Sequence, residues 1–176
     1  MKKLILLSAL AIAVSRVTAD EAAFQASLTP DIAIQPRSTE INGFAINIWG
    51  ENQQHSLNLG FVNGSTGDSA GFTFGLVNYA ESYTGIQWGF ANYSGRNFVG
   101  LQIGDLNVSQ GSFQGVQYGY VNYAEEFQGL QLGAVNYAKN LRGIQLGLIN
   151  VAMNNPWFKE FPDKLATGFP FFNWSF

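Results

Sequence analysis

Five glutamines, Gln87, Gln102, Gln117, Gln131 and Gln145, recur every 14 or 15 residues, each between two bulky apolar residues. A carboxamide both donates and accepts hydrogen bonds, so a row of them at one strand spacing could engage sugar hydroxyls or another sheet. The same row could instead bond to itself and support a stack. If the flanking apolar residues face a core, the glutamines point outward and form a candidate binding ladder; Thr73 takes the glutamine's place in an earlier unit. Other chemistry is sparse. His55 is the single histidine and sits in the polar link "ENQQHS", so a metal site or a histidine-centred catalytic set would rest on one residue. Glu125 and Glu126 are adjacent and project differently. With Lys139 and Arg142 they fall in polar links, as solubilising charges rather than an acid and base pair. The glycines follow strand spacing and lack the lysine and hydroxyl context of a phosphate-cradling loop. The chain has no cysteine, which excludes thiol catalysis, cysteine metal sites and disulfides. These residues point to a protein that is not an enzyme and needs no cofactor or metal.

The elements that would position the glutamines are the repeats themselves. Gly71, Gly85, Gly100, Gly115, Gly129 and Gly143 open six units; Ser56 opens an earlier one, and a looser copy starts at Gly43. Each unit reads glycine, apolar, often glutamine, apolar, glycine, any residue, apolar, asparagine. A short polar stretch follows, with an aromatic or leucine two places before the next glycine. The second position (Leu57, Phe72, Ile86, Leu101, Val116, Leu130, Ile144) and the fourth (Leu59, Phe74, Trp88, Ile103, Tyr118, Leu132, Leu146) alternate with polar residues, the pattern of a short strand with one buried face. Two glycines per unit argue against helix at roughly 1 kcal/mol each relative to alanine. The next apolar position lies an odd step further on, so a bend at the intervening glycine is needed to bring it back inside.

Asn63, Asn78, Asn92, Asn107, Asn122, Asn136 and Asn150 mark a corner in every unit, either as buried stacked amides or as solvent-facing turn residues. Tyr83, Phe98, Phe113, Phe127 and Leu141 could form an aromatic stack; Tyr79, Tyr93, Tyr123 and Tyr137 could form another. Units this short cannot bury an apolar face alone and must stack on one another. The expected fold is all-β, a solenoid of about eight 14-15-residue coils with a C-terminal cap. A coil of about 14 residues has a contour of at most about 46 Å, enough for two or three short sides.

An antiparallel outer-membrane-type β-barrel uses the same letters, and the ending "FFNWSF", with Phe172, Trp174 and Phe176 alternating, resembles the last strand of such barrels. Two features weigh against it. No double period near 28 separates short turns from long loops. Asp105 also shares parity with Leu101 and Ile103, so turning those residues to lipid would carry a carboxylate with them.

Residues 1-19 read as a secretory signal peptide: Lys2 and Lys3, the apolar stretch "LILLSALAIAV", and "VTA" as a cleavage site after Ala19. Residues 20-40 are a lead-in with a short strand at "IAI", residues 41-156 the repeat domain, and residues 157-176 a cap or closing strand. Without Lys2, Lys3 and Arg16, six basic residues face twelve acidic ones, which excludes nucleic acid as a natural partner.

The units "GIQWGFANY", "GLQLGAVNYA" and "GIQLGLINVA", with "INGFAINIWGEN" before them and "FPFFNWSF" after, resemble a family of exported bacterial surface-repeat proteins built on a "GLQxGLVN" pattern. The resemblance spans residues 41 to 176 and implies export and a surface or envelope location; the family has no agreed biochemical role to carry over. Asp105 and the Ser56 unit depart from the pattern. The function expected is a secreted or cell-surface scaffold or adhesive element that meets a protein or carbohydrate surface. The alternative is a small outer-membrane barrel.

Overall fold

The computed structural model describes residues 20-176; the signal peptide expected over residues 1-19 lies outside the described residues. Seven strands make one sheet wound upon itself: β1 Glu21–Thr29, β2 Ile32–Ala33, β3 Glu40–Asn52, β4 His55–Ser94, β5 Phe98–Ile103, β6 Leu106–Ala152 and β7 Gly168–Ser175. The longest, β4 and β6, wrap through several coils without leaving the ladder. Like sits on like: Gly85 pairs with Gly100 and Gly100 with Gly115, all in parallel. The result is a β-solenoid of about seven turns, close to the eight units counted in the sequence. Because successive coils run parallel, the antiparallel barrel is not the fold.

The unit glycine is required twice over. Gly85 has φ of 138°, and a Cβ there would enter the carbonyl oxygen of Gly71 in the coil below. The four glycines that follow in the same row, and Gly71 before them, repeat both conditions, so the chain can turn and its coils can approach only where no side chain stands.

The interior inverts the expected sidedness. The second and fourth positions face outward, and the alternating residue between them faces in: Gln87, Gln102, Gln117, Gln131 and Gln145 are all 0 % exposed. With them inside are the asparagines, a row of small residues (Ala80, Ala124, Ala138, Ala152) and the aromatic row. Phe98 and Phe113 stack with centroids 4.9 Å apart, Phe113 and Phe127 at 5.2 Å, and Tyr83 caps the row on Phe98 at 5.9 Å. Of the other tyrosine row only Tyr123 and Tyr137 stack, at 5.2 Å.

Amides fill the rest of the interior because each meets its own copy one coil away. Gln102 Nε2 donates to Gln87 Oε1 at 2.9 Å, and the row continues through Gln117, Gln131 and Gln145 at 3.0, 2.8 and 2.7 Å. The asparagines donate in the opposite sense along the axis, Asn63 to Asn78 and onward to Asn150, at 2.8 to 3.0 Å. Each of these donors from Asn63 to Asn136 also reaches a main-chain oxygen in the next coil, as Asn92 does to Ile103 at 2.8 Å. Buried amides cost little when every proton and lone pair is met. The ends of the glutamine row show the converse: Gln87 Nε2 and Gln145 Oε1 lack a partner.

Below Gln87 the row stops at Thr73, whose Oγ1 lies 2.8 Å from the hydroxyl of Tyr83, the one tyrosine in the aromatic stack. A shorter side chain in one row is thus offset by a longer one in the next. Burial pushes the Tyr83 phenol up to about 12 from 10.0, against the smaller, lowering pull of Thr73. An unfolded chain therefore releases this proton near pH 10 and the folded chain near 12. Stability is full below pH 10 and should fall on the order of 2–3 kcal/mol as pH rises through that window. Urea-unfolding midpoints taken from pH 9 to 12 should show the fall, and Tyr83→Phe should remove the Tyr83 share of it, leaving that of Tyr79, whose phenol is raised over the same window.

Both ends of the stack are covered. β7 pairs antiparallel with the last coil, setting Asn173 against Gln145 and Trp174 against Ile144, and Asn173 is fully buried. At the other end the lead-in holds more than the short strand expected at "IAI". β1 pairs parallel with β3 as a further partial coil, and β2 folds back antiparallel on β1. β2 shortens the exposed edge at the start of the stack, pairing with Ser27 and Thr29 of β1, and β7 covers the edge of the last coil.

Candidate functional site

Turning the amides inward removes the candidate ladder from the surface. Gln87, Gln102, Gln117, Gln131 and Gln145 cannot touch a ligand, since each spends its carboxamide on its neighbours, and Gln117, Gln131 and Gln145 also donate to the Tyr123, Tyr137 and Val151 carbonyls. Alternation showed that two faces differ. It did not show which faced in, and the assumption that the greasier one must be buried placed the glutamines wrongly.

What the coils do present is an apolar exterior. Fourth-position side chains (Phe74, Trp88, Tyr118, Leu146) and sixth-position side chains (Phe61, Leu76, Phe90, Tyr120, Leu148) project into solvent from successive coils. Between the two rows the fifth-position glycines form a floor. A Cβ at Gly89 or Gly133 would strike the main chain of the coil below, so no side chain can fill the channel. The outcome is a groove of about 690 Å³ that crosses five coils, from Phe74 to Ala134. Phe74 and Trp88 meet edge to face within it, 5.4 Å apart.

Charge is kept elsewhere. Glu81 pairs with Arg96 and Glu125 with Lys139 on the polar links, coil to coil, and Glu126 accepts from Asn140. The Lys139 hydrogen bond holds the Glu125 carboxyl below its usual range, and Glu125 in turn holds the ammonium above its own. His55 Nδ1 lies 2.7 Å from Glu40 on the surface. Near the first coils the Tyr79 phenol is raised to about 12, by burial and then by the Glu51 carboxylate it donates to. Asp105 is the exception. It interrupts the sixth-position row inside the groove, at the break between β5 and β6.

The groove thus offers apolar and aromatic contact with a single carboxylate. No group of three or more potential metal ligands occurs among the described residues. The groove was missed from sequence because its walls were assigned to the core. The asparagine and glutamine periodicity marked two amide rows but fitted an outward ladder as well as an inward one, so it did not reveal the groove.

No protein-family model, no curated protein and no solved structure matches this chain.

Proposed function

We propose that the protein is a non-catalytic, exported repeat scaffold that acts by pressing its apolar exterior against a partner surface. One observation carries this reading: rows of large apolar side chains stand in solvent on successive coils while paired charges gather on the polar links. Soluble monomers rarely leave contiguous apolar patches beyond a few hundred Å² uncovered, and larger ones mark interaction sites. The basic-apolar-small start of the chain supports export, and the resemblance of the units to surface-repeat proteins supports an envelope or extracellular address. No helix among the described residues is long and apolar enough to cross a membrane.

The test uses residues 20 to 176 and a variant carrying Phe61→Ser, Leu76→Ser and Leu148→Ser, three outward side chains of one row. The variant should keep its circular dichroism and lose at least about tenfold in retention on a phenyl matrix and in adhesion to envelope preparations. Undiminished adhesion by the folded variant would remove the reading. Flotation of the parent chain with phosphatidylglycerol vesicles, abolished in the variant, would make lipid the surface it meets.

A further inference from the structure

One carboxylate stands in an otherwise uncharged groove, and its surroundings are specific. In the fourth-position row Ile103 pairs with Trp88 on one side and Tyr118 on the other. In the sixth-position row Asp105 lies between Phe90 and Tyr120, one residue before the pair Ala91–Leu106, with the Val121 amide donating to its main-chain oxygen at 2.9 Å. Four aromatic side chains thus frame one exposed carboxylate, all lining the same channel. Asp105 has no salt-bridge partner among the described residues, whereas Glu81 and Glu125 on the polar links each hold a cation.

We propose that this groove takes a segment of a partner polypeptide that carries an arginine or lysine side chain flanked by apolar residues, with the cation seated over Asp105 between the rings. The inference rests on the contact-scaffold reading and names its partner. Charge complementarity decides against the other occupants. Acyl chains, or a second copy of the same face, would strip water from the Asp105 carboxylate and offer it no counter-charge, the costliest kind of burial. A hard metal ion would find one carboxylate where it needs six or more oxygen ligands. An organic cation satisfies both the carboxylate and the negative faces of the rings. The length of the channel then favours a polypeptide: five coils at about 4.8 Å span what six or so extended residues would cover.

The experiment titrates residues 20 to 176, labelled with ¹⁵N-tryptophan, with a capped pentapeptide holding a central arginine between two leucines. The indole resonance of Trp88 is assigned by its loss in Trp88→Phe. The expected result is a saturable shift of that resonance, at least about tenfold weaker in affinity when citrulline replaces the arginine, and a similar loss in Asp105→Asn with the arginine peptide. No saturable shift up to about 5 mM peptide would overturn the proposal, as would equal affinity for the citrulline peptide or an unchanged affinity in folded Asp105→Asn. Tetramethylammonium chloride matching the arginine peptide in affinity would overturn the polypeptide and leave a compact ammonium group as ligand. If the serine variant loses adhesion while the arginine peptide fails to bind, the scaffold reading stands and this inference falls.

Discussion

Asn122→Ala is expected to cost on the order of 3–6 kcal/mol, more than the loss of most large apolar side chains on this protein. Asn122 accepts from Asn107 at 2.9 Å, donates to Asn136 at 2.8 Å and donates to the Leu132 carbonyl at 2.9 Å. Truncation removes one hydrogen bond from each of three groups in the two flanking coils, an Asn107 amide proton, the Asn136 Oδ1 and the Leu132 carbonyl, and each such loss costs about 1–3 kcal/mol. Phe90→Ser, which in an ordinary core would be ruinous, should by contrast change stability by less than about 1 kcal/mol, since Phe90 is 61 % exposed. Urea unfolding of both variants, followed by circular dichroism, measures the contrast. A Phe90→Ser loss larger than that of Asn122→Ala would mean that the apolar rows face inward after all. Asn122→Asp provides a second reading of the same site. It keeps the shape but, when ionised, removes both donors and sets a buried charge against two oxygens. The variant should be severely destabilised at pH 7 and recover partly on acidification, as protonation returns one donor.

Gly115→Ala should be comparably damaging, on the order of 3–5 kcal/mol, for reasons of backbone rather than side-chain bonding. Gly115 has φ of 140°, where L side chains are strained. Its added methyl would overlap the main-chain atoms of Gly100, and the three nearest atoms are all backbone, so no rotamer change relieves them. The damage should also depend on position along the stack. Each coil touches only its neighbours, so a fault in the middle separates two short stacks, whereas one near an end frays a single coil. Gly71→Ala, near the start, should therefore leave a larger folded remnant than Gly115→Ala. Hydrogen exchange of the two variants would show this: protection should survive beyond residue 85 in the first and collapse on both sides of residue 115 in the second. Equal, global loss of protection would indicate an all-or-none stack instead.

Much of the architecture was legible before any coordinates. Glycines at 14- or 15-residue intervals, with one glutamine and one asparagine at constant offsets, announce equivalent coils, because a 14-residue unit has no core except the one it shares with its neighbours. The aromatic row from Tyr83 to Phe127 was readable for the same reason: identical side chains at coil spacing stack. The Thr73 and Tyr83 exchange was legible in part, as a threonine where a glutamine was due. That the two hydroxyls meet at 2.8 Å required three dimensions.

Sidedness is what the tertiary structure alone decided. Alternation with a period of two separates a strand's residues into two sets but is symmetric about the sheet, so nothing in it says which set faces the axis. The symmetry is broken by curvature, through positive-φ glycines that bend each coil around the glutamine and asparagine side, and by distance. Only on the inner side do amides 14 or 15 residues apart come within 3 Å of one another, donor to acceptor. The apolar residues are left outside, and with them the lone carboxylate of Asp105, which becomes a recognition element only once its four aromatic neighbours are seen to stand in solvent beside it.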